Sequence, residues 1–132
     1  MDAALKEMVV PVLRAKGFTG SLPHFRRKTT DAIELLTFQF DKWGGGFVVE
    51  ISKCPIDGFT MPWGEHIPPN KVTAHHLNPD QRKRIQPREG SGTDDWFRFD
   101  GWVPAAKSRA NRAAQQFLNH LSEAEAWWQH AP

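Results

Sequence analysis

The sequence predicts an α+β protein: an antiparallel sheet of four to five strands, a β-meander plus one later strand, covered on one face by N- and C-terminal helices. Three observations predict it. Apolar residues recur with helical period over residues 2–16 and again from Pro104 to about Trp128. Between them the period drops to two, over 22–29, 32–42 and 46–54. Prolines 55, 62, 68, 69, 79 and 87, with glycines 58, 64, 90 and 92, then exclude a long regular element from the segment 55–93.

The first helix carries Leu5, Met8, Val9, Val12 and Leu13 on one face, with Asp2 as cap and Gly17 as its left-handed stop. Pro11 is expected to bend it. The first two strands join across Thr30-Asp31. Gly44-Gly45-Gly46 lie between two strands, where a phosphate-cradling loop and a hairpin turn are the competing readings. A phosphate loop needs a helix start after the glycines, so that backbone N–H groups meet the anion. A β-branched strand, Phe47-Val48-Val49, follows instead, so the glycines read as a turn. Pairing Phe40 with Phe47, Phe38 with Val49 and Leu36 with Ile51 gathers these six residues and Phe25 on one buried face.

Within 55–93 a short strand is placed around Arg84 to Gln86, and a helical turn after Asn78-Pro79. Residues 95–99 alternate as a further strand. The last helix has Pro104 in its first turn and the stripe Ala106, Ala110, Ala113, Phe117, Leu121, Ala124 and Trp128. At 132 residues, 39% hydrophobic and 24% charged, the chain fits a single domain, residues 1–132.

The order of motifs is similar to a known family. A helix ending in RAKGF, a strand with FRRK, then LLTFQFDKWGGGFVVEI, the segment HHLNPDQRKRIQ, and DDWFRFDGW before a final helix resemble the bacterial domain of unknown function 4304. The resemblance runs from about Leu5 to Leu121. Gln86 departs from it where a glycine is expected, and Phe97 where a second Trp is common. It implies the α+β architecture and carries no established activity.

Composition excludes several function classes. Seventeen Lys and Arg against 15 acidic residues give a net charge of +2, too mild for a dedicated nucleic-acid binder. The single Cys54 forms no internal disulfide, and the N-terminus lacks a signal-peptide pattern, so a reducing cytoplasm is the expected compartment. The longest apolar run near the start is too short to span a bilayer. Cys54, His66, His75 and His76 match no zinc spacing, so neither metal nor cofactor is expected. Cys54 reads as a small buried thiol, since no helix N-terminus activates it. Asp41, Glu50, Glu65, Asp94 and Asp95 show no spacing that forces two carboxylates together.

Basic and aromatic residues carry the remaining signal. Arg26-Arg27-Lys28, Arg82-Lys83-Arg84 with Arg88, and Lys107, Arg109 and Arg112 form three clusters, the last opposing the macrodipole at the start of a helix. Six tryptophans with no tyrosine is an uncommon choice, and Trp43 and Trp63 sit beside glycines in turn-like segments. Trp and Arg together make binding hot spots. The candidate site therefore centres on Trp43, Arg82 and Arg84, with His76, Trp96 and Arg112 around it. The functional expectation is a non-enzymatic binding module for a protein or an anionic ligand. A hydrolase-like enzyme with His75 or His76 under a 55–93 lid, and a single-stranded nucleic-acid binder, are the alternatives.

Overall fold

A computed structural model describes residues 1–88, 92, 95–100 and 106–131, without the side chains of 106 and 107. The N-terminal helix runs in three pieces: α1 (Asp2–Ala4), a π-helical turn (Leu5–Val9) and α2 (Val10–Ala15). The expected bend at Pro11 takes this form. Its ring removes one N–H and crowds the carbonyl four residues back, and a widened turn before it relieves both.

The main sheet runs in the order β1 (Thr19–Ser21), β2 (His24–Lys28), β3 (Ala32–Phe40), β4 (Gly46–Pro55) and β7 (Arg82–Ile85), with β8 (Phe97–Arg98) also on β4, and every pairing is antiparallel. The expected strand 22–29 is divided: its first residues are the turn of a β1–β2 hairpin, around a cis Leu22–Pro23 bond. The expected register holds, with Phe40 opposite Phe47, Phe38 opposite Val49, Leu36 opposite Ile51 and Phe25 opposite Leu36. Phe40 is the exception to burial. It lies at the strand end, past the helix cover, and is 38% exposed.

One face of the sheet meets α1, α2, α3 (Ala106–Asn119) and α4 (Leu121–His130). Phe25, Leu36, Phe38, Phe47, Val49, Ile51, Ile85 and Phe97 pack there against Leu5, Val9, Leu13, Phe117 and Trp128. The expected single last helix breaks at His120, whose N–H bonds the carbonyl of Phe117. The break lets Trp128 turn its indole N–H onto the Ser52 carbonyl at 2.9 Å. Arg27 fixes α4 to the sheet from the same side. Its guanidinium reaches Glu34 and both Glu125 oxygens and lies over the rings of Phe18 and Trp128. Pro104 lies outside the described residues.

The opposite face has its own cover, supplied by the proline-rich segment. Ile67, Val72, Ala74 and Leu77 close over Ile33, Leu35 and Cys54. This segment is less irregular than its composition suggests. It holds a hairpin, β5 (Phe59–Thr60) with β6 (His66–Ile67), and 3-10 turns at Ala74–His76 and Pro79–Gln81. The strand expected at 84–86 is β7, two residues earlier. Gln86 leaves the ladder buried and donates to the carbonyls of Gly92 and Asp95.

Candidate functional site: a Trp43–Arg98 groove

The β3–β4 turn is built by Asp41. Its Oδ1 accepts the N–H of Trp43 at 3.0 Å, its carbonyl accepts Gly44 N–H at 2.8 Å, and its own N–H bonds Gly46 O at 2.9 Å. Gly44 and Gly45 take φ of 84° and 81°, a region that side chains strain to occupy. Gly46 serves close approach, because a Cβ there would stand 2.9 Å from Cβ of Trp96 on the neighbouring chain segment.

Alternation then decides what surrounds the turn. Phe97 points to the helix-covered core, so Trp96 and Arg98 face the other way. Gln39, Phe40, Asp41, Lys42, Trp43, Trp96 and Arg98 line an open groove of about 510 Å³. Trp43 is 84% exposed, with the Lys42 ammonium 5.2 Å from its ring centroid. Arg98 pairs with Asp41 Oδ2 at 3.3 Å. Both Asp41 oxygens are thus engaged, one within the turn and one by Arg98 of β8. Asp41 offsets Arg98, so Lys42 supplies the net positive charge of the lining, and the groove is aromatic and weakly cationic.

A polar row leads away from this groove across the sheet. His24, Thr37, Glu50 and Arg84 are successive cross-strand partners on β2, β3, β4 and β7. His24 Nδ1 is 3.0 Å from Thr37 Oγ1, and Arg84 is 3.6 Å from Glu50 Oε1. The Arg84 guanidinium lies 5.1 Å from the Trp96 ring centroid, which joins the row to the groove.

Of the six residues expected at the site, Trp43 and Trp96 line the groove and Arg84 stacks beneath it. Arg82 points to the same face as Arg84 but is spent on backbone, donating to Leu77 O at 2.8 Å and His75 O at 3.0 Å. His76 uses Nδ1 to accept the N–H of Thr73 at 2.9 Å, capping the 3-10 turn. Arg112 is exposed on α3 and lines none of the described grooves. Arg109 ties that helix to Phe99 O at 3.2 Å, and the Lys107 side chain lies outside the described residues. Arg98, Lys42 and Phe40 were missed by sequence reasoning. Placing Phe97 inward would have brought Arg98 to the Trp96 side.

Cys54 is buried, and burial pushes its thiol up to about 11, which suppresses nucleophilic thiolate. Among the described residues, no group of three or more His, Cys, Asp or Glu side chains is arranged to hold a metal ion. Trp63, 71% exposed, sits on the separate β5–β6 hairpin. No described helix is long and apolar enough to cross a membrane.

The class defined by fold and site is an α+β protein with helices on one sheet face, a proline-rich cover on the other and an aromatic, cationic groove at the main hairpin turn. The family model for the domain of unknown function 4304 matches residues 9–131, and the chain belongs to that family. Comparison with curated proteins and with solved structures returned no match.

Proposed function

We propose that the protein is a small cytoplasmic binding module that recognises an acidic segment of a protein partner in the Trp43 groove. The observation that carries this reading is the 84% exposure of Trp43 on a turn held by glycines and Asp41, beside Trp96 and Arg98. Keeping an indole in water forgoes roughly 1.5–3 kcal/mol of burial. The glycine turn lets a partner backbone approach, and the stiff indole loses little entropy on contact. Lys42, the charge of the lining that Asp41 does not offset, favours a carboxylate-bearing partner through attraction and steering.

A display selection of random peptides on the full chain tests this. Enriched sequences should pair acidic with apolar residues and should fail to bind Trp43→Ala. Enrichment of sequences that bind Trp43→Ala as well as wild type would refute the groove as the recognition site.

A further inference from the structure

A second cluster lies on the same sheet face, and none of its residues lines the Trp43 groove. His24 and Arg26 are two residues apart on β2, so both project to the side covered by the segment 72–77, about 7 Å from one another. His75 stands over them from that segment, its ring edge-on to His24 with centroids 6.3 Å apart. His24 Nε2 and both ring nitrogens of His75 have no hydrogen-bond partner among the described residues. Arg26 gives one nitrogen to Val72 O at 3.0 Å, but its buried Nε has no partner among the described residues.

Four basic groups, His24, Arg26, His75 and Arg82, thus gather without a carboxylate among them. From β3 the facing group is Thr37. From the 3-10 turn it is His76, whose Nδ1 is committed to Thr73. Glu50 stands in the same cross-strand row as His24, beyond Thr37, and is paired to Arg84. The Arg26 Nε–H is thus a hydrogen-bond donor that no described protein group accepts. Imidazoles and a guanidinium presented from β2 and from the covering segment suit a ligand that accepts hydrogen bonds in every direction, which a planar carboxylate does less well.

We propose that the basic cluster of His24, Arg26 and His75 binds a tetrahedral oxyanion of the phosphate type. Burial, followed by the neighbouring positive groups, holds His24 and His75 below their ordinary pKa in the empty protein. An anion between them reverses that cost, so binding and protonation favour one another.

The test uses inorganic sulfate, whose charge is constant near neutrality, against sodium chloride at matched ionic strength. Histidine ring resonances of the full chain are followed by NMR from pH 8 to pH 5.5. Sulfate should shift His24 and His75 saturably, raise both titration midpoints and bind more tightly at the acidic end, by up to about tenfold for each unit that a midpoint rises. His120 and His130 should not respond. His75→Ala, at an exposed position whose ring makes no described hydrogen bond, should stay folded and lose the saturable response of His24. Equal effects of chloride and sulfate, uniform movement of all histidines, or undiminished sulfate binding by folded His75→Ala would each overturn the proposal. Inorganic phosphate compared with O-phosphoserine then separates a free ion from a phosphorylated chain. Failure of both to compete with sulfate also counts against the site.

Discussion

Arg26 and Arg82 stand in one cross-strand row, β2 to β7 through Leu35 and Ser52, and clamp the segment 72–77 at its two ends. Arg26 donates to Val72 O, and Arg82 to Leu77 O and His75 O. Between the clamps, Val72, Ala74 and Leu77 seal Ile33 and Leu35. Hydrogen bonds from charged donors to backbone are worth about 1.5–3 kcal/mol. Arg82→Ala should therefore lower stability by about that amount in urea unfolding while leaving peptide binding at Trp43 unchanged. Loss of binding with full stability would move Arg82 from fastening to recognition.

Phe38 is the centre of the helix-side core. Its ring lies 6.0 Å from Phe25, 5.9 Å from Phe47 and 5.5 Å from Phe117, at 2% exposure. Truncation leaves a cavity that strands and helices cannot both close. Phe38→Ala is expected to cost roughly 3–5 kcal/mol, read from the same unfolding curves. A cost below about 1 kcal/mol would mean that this core is loosely packed.

The histidine cluster predicts how stability varies with acidity. His24 and His75 sit below their ordinary value of 6.5, through partial burial first, and then through His75, Arg26 and His76 for His24 and through Arg82 and His76 for His75. A base with a depressed folded pKa binds fewer protons folded than unfolded. Its contribution is therefore complete above pH 6.5 and falls away as the solution is acidified below it. In chloride buffer the melting temperature should drop between pH 7.5 and 5.5, and drop less in His75→Ala. A flat profile, or a melting temperature that climbs on acidification, would contradict the depressed pKa of this cluster.

Gly45 is a site where no side chain fits. Its φ is 81°, and a Cβ would fall 2.6 Å from the Asp100 carboxylate. Gly45→Ala should cost about 1–3 kcal/mol from backbone strain, and displacement of Asp100 comes in addition. Gly44→Ala meets no neighbouring atom within 4 Å, so it isolates the backbone cost. Equal destabilisation by the two substitutions would show that the Asp100 contact contributes nothing.

The sheet was legible because period-two alternation and one register choice agree: Phe38 opposite Val49 forces the whole apolar set to one face. The second core was not legible. Ile33, Leu35 and Cys54 alternate with the first set, but their cover, Val72 to Leu77, carries no periodicity of its own and is held by Arg26 and Arg82. Trp43 was readable from its glycine neighbours, and its companion Trp96 from the strand. The roles of Arg82 and His76 were not, because their partners are backbone carbonyl and N–H groups brought near only by the folded 3-10 turns.

Recognition at the Trp43 groove is read out by titrating the most enriched peptide into wild type, Trp43→Ala and Trp63→Ala by calorimetry. Trp63 is a matched control, exposed to 71% on a different hairpin. A binding hot spot costs about 2 kcal/mol or more on truncation, roughly thirtyfold in affinity. That loss is expected for Trp43→Ala with an unchanged melting temperature, and affinity within about twofold of wild type for Trp63→Ala. Wild-type affinity in Trp43→Ala, or the larger loss in Trp63→Ala, would contradict it.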